Sequence, residues 1–500
     1  MKDFRRLVLV LPAIVLGQSL AWAAERDCNI RDWDIRNYGA VAGGKTLCTA
    51  AIQKAVDHCA AAGGGTVYFP PGVWLSGTIE LRSHVTLRLD AGCRLLGSSN
   101  PADYPPRVPK IHSYSNIYVR QSLIRGEDLE HVAICGLGTI DGQGGKFHWP
   151  GYTNRPFLIR LVGCRDVLVE NVTLCNSPMW MQQYLACQRV TIRGIAVDNH
   201  ATYNNDGIDL DGCRGAVISD CKIDSDDDGI CLKSTGEQPC ENVTITNCVV
   251  SSHCNAIKMG TESHGGFRNI TITNCTIASP TGTKTINGSD RGLGGLALEL
   301  VDGGTLENVA VSNLAIDGVT TPLFLRLGNR ARPIDKDMPK PGMGTFRNVV
   351  LSNIVATRAA KVGCSITGVP GGAIENVQLS NIQLSFEGGG TRQQAAAKVP
   401  EKESSYPEGA MFGTLPAYGF YCRHVVGLKL RDVRLRTDGP DFRPAVVGQD
   451  VRELVVDGLD VHPAGGAAVR LIHSPGAVIR NSGDVSVESR EADHEATLRE

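Results

Sequence analysis

Two acidic turns stand one repeat apart in this chain: Asn204-Asn205-Asp206-Gly207-Ile208-Asp209 and Ser225-Asp226-Asp227-Asp228-Gly229-Ile230. Each Asp-Gly-Ile leads into a short apolar segment. If those segments are strands stacked on one another, three carboxylates converge: Asp206, Asp227 and Asp228. Like charges held that close raise at least one pKa. A carboxyl group kept protonated beside one kept ionised is the equipment of acid/base hydrolysis. The bland alternative is a solvated charged face, because Asp-Gly makes a good turn by itself. Asp226, Asp227 and Asp228 in a row are harder to explain by turn chemistry alone.

The repeats predict that the segments stack. Asn171, Gly194, Asp220, Asn247 and Asn274 close equivalent short motifs at steps of 23, 26, 27 and 27 residues. The series continues at Asn313, Asn353 and Asn381 with steps of 39, 40 and 28, which implies inserted loops. Each unit holds two or three short segments rich in Val, Ile and Thr, each followed by a turn residue. Periods of this length mark repeat architectures. The pattern predicts an all-β fold, a single-stranded right-handed parallel β-helix in which the turn asparagines form a ladder inside the solenoid. A propeller or sandwich fits less well, since blade and hairpin signatures are missing and aromatics make up only 5% of the chain.

In that register Asp206, Asp228 and Asn255 form a column at one strand entrance, with Asp227 one residue further back. Side chains alternate along a strand, so Asp209, Cys231 and Lys258 are expected to point outward. Glu299 and Arg326 extend that outer column if the register survives the longer loops. Carboxylates and cations would then alternate along one exposed face.

Other segments frame this core. Lys2, Arg5 and Arg6 precede an apolar stretch from Leu7 to Leu16, and Ala21-Trp22-Ala23 offers a cleavage site, so residues 1–23 read as a signal peptide and the chain as secreted. The stretch is too short to span a membrane. A helix from roughly Thr49 to Ala62 is expected to cap the open N-terminal end of the solenoid, a single domain over residues 24–480. Segment 387–417 reads as a long polar surface loop, from which Tyr406, Met411, Phe412 and, just beyond it, Tyr418 can reach a substrate. Residues 481–500 read as a polar, frayed tail. A net charge of −2 suggests no nucleic-acid partner.

Seventeen cysteines in an exported chain suggest disulfides. Cys221, Cys248 and Cys275, however, follow the ladder residues at steps of 27 and read as a stacked core column. Cys231–Cys240, Cys164–Cys175 and Cys28 with Cys48 or Cys59 are the candidate bridges. No His/Cys cluster has convincing zinc spacing.

The acidic motifs resemble those of the polygalacturonase family, glycoside hydrolase family 28. Asn204-Asn205-Asp206-Gly207 is similar to its Asn-Thr-Asp-Gly motif, and Asp227-Asp228-Gly229-Ile230-Cys231-Leu232-Lys233 to its Asp-Asp-Cys-Ile-x-Ile-Lys motif. Tyr38-Gly39-Ala40, Ala50 to Ala55 and Gly63 to Pro71 resemble the family's N-terminal segment. The resemblance implies a secreted, cofactor-free β-helix hydrolase of pectic polysaccharide that inverts the anomeric centre, with no metal and acting as a monomer. It makes Asp227 the general acid, and Asp206 and Asp228 the holders of the attacking water. Asn204, Asp209, His253, Asn255, Lys258, Glu299 and Arg326 become the expected substrate contacts.

Two departures stand out. The family's Gly-His-Gly turn falls at Cys254-Asn255-Ala256, so Asn255 replaces the histidine and His253 is the candidate substitute. The family's Arg-Ile-Lys motif, which grips galacturonate carboxylates, falls near Gly295–Leu300, where no cation stands and Glu299 would repel a carboxylate. Lys258, Arg326 or Arg330 are the candidate replacements, and a rhamnogalacturonan or branched pectic side chain enters as a substrate. Two other classes are weighed: a calcium-dependent pectate lyase-like enzyme, and a non-catalytic glycan-binding β-helix.

Overall fold

The structure is a computed structural model and describes residues 32–147, 154–282, 284–490 and 497–499. The expected signal peptide and Cys28 lie outside the described residues. The chain forms a right-handed parallel β-helix whose strands pair only in parallel, each with its equivalent one coil away. Three stacks of strands run along it. One coil is Gln182–Leu185, Gln188–Arg193 and Ala196–Asn199; the next is Ile208–Asp211, Arg214–Ser219 and Lys222–Ser225.

The core follows from alternation along each strand. In the middle stack Val169, Ile192, Ile218, Ile245, Ile272, Val311, Leu351, Leu379 and Leu430 occupy one register column and are all buried. Each such side chain contributes roughly 1.5–3 kcal/mol of burial. Cys221, Cys248 and Cys275 stack in the core as expected, followed by Leu314, Ile354 and Ile382. All sixteen described cysteines are thiols, so neither Cys231–Cys240 nor Cys164–Cys175 is bridged, and Cys48 and Cys59 are free. Cys231 instead donates to Gly260 O, and Cys240 to Leu210 O.

The corner between the middle and last stacks is a single residue in the left-handed region. Asn247, Asn274, Asn313, Asn353 and Asn381 have φ of 52–56°, and Asn tolerates this better than most residues. Their side chains do form a ladder, Asn313 to Asn274 at 2.9 Å and Asn381 to Asn353 at 2.9 Å, but it runs on the exposed surface rather than inside. A second ladder, Asn269 to Asn242 and Asn376 to Asn348, marks the corner before it.

The capping helix spans Thr49–Ala61 and buries Ile52, Ala55, Val56 and Cys59. Its Gln53 side chain bonds both backbone groups of Glu80, which fixes it to the first coils. At the other end the expected tail carries two more strands, Val487–Arg490 on Val469–Ile472 and Thr497–Arg499 on Val478–Arg480. Among the described residues no helix is long and apolar enough to cross a membrane.

The first stack corrects the expected exposed face. Asp209, Cys231, Lys258, Glu299 and Arg326 all point away from the core, and all are buried. Alternation decides which side a residue takes; it does not reveal that inserted segments fold over that side. One of these is 387–417. It is not a free loop: Glu401 and Lys402 carbonyls accept from Arg326, and Met411 packs on Ala297 and Phe324. Lys258 is opposite Ala297, while Glu299 is opposite Arg326. The strand Gly294–Leu300 pairs two residues out of the expected register, with Ile257 opposite Leu296 and Met259 opposite Leu298. A slip of two keeps the inward–outward alternation, so the hydrophobic pattern could not have exposed it.

Candidate active site

Strand stacking places the two acidic turns as the repeat spacing requires. Ile208, Ile230 and Ile257 are register partners, and Gly207 N bonds Asp228 O while Gly229 N bonds Asn255 O. The glycines are needed for close approach. A Cβ on Gly207 would stand 2.6 Å from Gly229 O, and one on Gly229 2.6 Å from Ala256 O. Asp206, Asp228 and Asn255 therefore rise in one column. Asn255 donates to Asp228 Oδ1 through its side chain at 2.9 Å and its backbone N–H at 3.2 Å.

Each outer carboxylate of the triad has its own lysine. Lys233 Nζ is 3.1 Å from Asp206 and 3.4 Å from Asp209. Lys258 Nζ is 2.9 Å from Asp228 and 3.7 Å from Glu299. Asp227 has no lysine within ion-pair distance. Its Oδ1 accepts from Asp228 N at 2.9 Å and its Oδ2 from Asn287 Nδ2.

This arrangement separates the three titrations. Burial raises the Asp227 carboxyl, the Asp206 and Asp228 charges raise it further, and it reaches about 8. Burial also acts on Asp228, but the Lys258 and Lys233 charges outweigh it and hold the group below its ordinary value. Asp206 is raised by burial and pulled back by Lys233. Asp209 is pushed well up by burial and by Asp206, and burial takes Glu299 to about 8. The site thus presents a neutral acid, Asp227, beside a stable carboxylate, Asp228. That is the pairing required to protonate a leaving oxygen while activating water.

The three aspartates line a cavity of ≈150 Å³ with Tyr118, Met179, Trp180, Asn204, Lys233, Glu262, Arg332 and Tyr406. Asn204 belongs here as expected; its left-handed backbone and a bond from Arg155 hold it. Asp209 and Lys258 support the wall from behind, and Tyr406, whose hydroxyl is 3.2 Å from Lys258, lines the same cavity. Met411 and Tyr418 are core residues instead, and Phe412 stacks on Arg326.

Two expected contacts lie elsewhere. Arg326 is buried and donates to Gly368 O, Glu401 O and Lys402 O, so it anchors the covering segment. His253 does not replace the missing family histidine. It is buried, turns to Ser289 O at 2.9 Å, and its Nε2 is 3.8 Å from Asp226, off the cavity wall. Asp226 accepts from the backbone of Ile286 and Asn287 and so holds the segment that presents Asn287 to Asp227. Asn287 and Arg332 were missed because they sit on inserted loops without periodicity; Trp180 stands on the turn before Gln182–Leu185 and Glu262 inside the strand Asn255–Ser263, where the repeat does not single them out. Lys233 had a signal, its place at the end of the second acidic motif.

A calcium site fits poorly on these aspartates. Asp206 and Asp228 are already neutralised by lysine ammonium groups at 3.1 and 2.9 Å, where a cation would have to bind.

Known proteins agree with this architecture. A "Probable polygalacturonase" of Vitis vinifera is 37% identical over 225 residues, covering 41% of this chain and 45% of that protein. The chain therefore spans less than half the length of that relative. Among solved structures, the exopolygalacturonase of Thermotoga maritima superposes with a TM-score of 0.64 at 21% identity, over 82% of this chain and 92% of the other. The family 28 exopolygalacturonase of Yersinia enterocolitica superposes with a TM-score of 0.66 at 20% identity, over 93% and 78%. These likenesses establish the shared fold. Residues 66–405, which hold the aspartate column and both of its lysines, match the model of Glycosyl hydrolases family 28, and the chain belongs to that family.

Proposed function

We propose that the protein is an exported hydrolase that cleaves a glycosidic bond of a pectic polysaccharide or oligosaccharide, as a monomer and with inversion. The observation that carries this reading is the split between neighbouring carboxyls: Asp227 raised to about 8 and Asp228 held low by Lys258. Asp227 gives its proton to the departing oxygen. Asp228, with Asp206 across the column, orients a water and takes its proton as the C–O bond forms. Lys258 holds Asp228 in its ionised form, and the Lys233 charge opposes the burial of Asp206. Membership of family 28 and the polygalacturonase relative support the pectic substrate. The two lysines occupying the aspartates disfavour a calcium-dependent lyase.

The test is product analysis on a pectic panel, with the anomeric configuration of the first product followed by proton NMR. Hydrolysis with inverted configuration, strongly slowed in Asp227→Asn, is expected. Equal activity of both proteins removes the mechanism. An unsaturated product absorbing in the ultraviolet, lost with EDTA, establishes a lyase instead. Export is checked by N-terminal sequencing of the mature protein, expected to begin near Ala24.

A further inference from the structure

The cations around the cavity are all engaged before any substrate arrives. Lys233 lies against Asp206, Asp209 and Glu262, and Lys258 against Asp228 and Glu299. Arg330 forms two hydrogen bonds to Asp302. Arg332 pairs with Glu262 at 2.6 Å and approaches Asp302 at 3.6 Å. All four are also shielded by aromatic rings. Lys233 is 4.5 Å from the Trp180 centroid, Arg332 3.5 Å from that of Tyr114, and Lys258 and Arg330 are 5.5 and 5.7 Å from that of Tyr406.

The balance of charge leaves no vacancy for another anion. These four cations face seven carboxyls, Asp206, Asp209, Asp227, Asp228, Glu262, Glu299 and Asp302, while Arg155, behind Asn204, donates to the Pro178 and Tyr203 carbonyls. Each of the four cations already holds a carboxyl group: Lys233 lies on Asp206, Lys258 on Asp228, Arg330 on Asp302 and Arg332 on Glu262. A substrate carboxylate would have to detach a lysine or arginine from a buried acid, and an uncompensated buried charge is expensive. What the wall offers instead is the exposed ring of Tyr406, suited to the C–H face of a sugar, with Asn204 as a neutral hydrogen-bonding group.

We propose that the sugar unit seated in this cavity is uncharged, so that the enzyme acts on a pectic chain at a neutral residue and not within a run of free uronates. The inference rests on the hydrolase reading above. Glu262 is the specificity-determining residue, because it binds both Lys233 and Arg332 and so withholds them from a carboxylate.

The experiment compares oligogalacturonides with the same oligosaccharides after reduction of their carboxyl groups, which keeps linkage and ring and removes only the charge. Rhamnogalacturonan oligosaccharides ending in rhamnose or in galacturonate form a second matched pair. The uncharged member of at least one pair is expected to have a kcat/KM larger on the order of 100-fold, the effect of a like charge in a desolvated site. In Glu262→Gln that ratio is expected to narrow by about ten-fold; being a ratio, it is unaffected by a misfolded fraction. Charged members cleaved as fast as their uncharged partners in both pairs, or an unchanged ratio in Glu262→Gln, overturns the proposal and leaves the hydrolase reading standing. No cleavage of any member by the wild type overturns both.

Discussion

Asp227 and Asp228 are adjacent in sequence and opposite in behaviour, and the largest part of the difference is Lys258. Lys258 reaches Asp228 at 2.9 Å, and Asp227 has only neutral donors. Removing the acid in Asp227→Asn should lower kcat by about 10²–10⁴-fold, the usual range for general acid catalysis, with little change in thermal midpoint. The pH profile follows from the signs. The active form needs Asp227 protonated, so the rate should fall as pH rises through about 8. It also needs Asp228 ionised, so the acid limb should lie below the ordinary carboxylate value of 3.8. In Lys258→Met the opposing charge is gone and burial dominates, so the acid limb should move upward and the optimum narrow. A profile that keeps its acid limb in Lys258→Met would show that another group sets it. Stability has the same sign for Asp228: its lowered pKa stabilises the fold above the unfolded value of about 3.9 and that contribution fades as pH falls.

At the scale of the element, the close stacking of turns fixes where the carboxylates stand. Ala at position 229 would bring a Cβ to 2.6 Å from Ala256 O and 2.5 Å from Val250. Gly229→Ala should therefore destabilise by about 1–3 kcal/mol, the usual effect of overpacking, and reduce activity by displacing Asp228. Calorimetry and kinetics on one sample check both; an unshifted midpoint removes the argument. The left-handed corners make a separate claim. Asn313 has φ of 56° and bonds two neighbours in the exposed ladder. Asn313→Gly should be close to neutral, while Asn313→Val should cost about 1–2 kcal/mol, because a β-branched residue resists that conformation. Similar losses in both variants would mean that the ladder bonds, not the backbone, matter.

For the whole molecule the governing fact is a continuous core with open ends. The helix Thr49–Ala61 closes one end with Ile52, Ala55, Val56 and Cys59. Deleting it should yield an insoluble or aggregating protein even though the active site lies several coils away, because end coils of a solenoid need a cap. Disulfides contribute nothing to this stability in the described residues. At least sixteen thiols should react with a thiol reagent in denaturant, and a reductant should leave the thermal midpoint unchanged. Markedly fewer thiols would contradict the free-cysteine core.

The sequence by itself determined the coils, the capping helix, the cysteine column and the meeting of Asp206, Asp227 and Asp228. All of these are consequences of local periodicity: a repeat near 27 residues, alternation along each strand, and Asn or Gly wherever the backbone turns or approaches closely. Tertiary structure alone decided what covers the first stack. Lys258 pairs with Asp228 under the ring of Tyr406, about 150 residues on, and Glu299 slips two residues from its expected neighbour. His253 turns away to Asp226, and Asn287 arrives from an insertion to hold Asp227. The physical reason is that a strand's pattern records which side is apolar. The placement of an insertion, a two-residue slip and the pairing of buried charges leave that pattern unchanged.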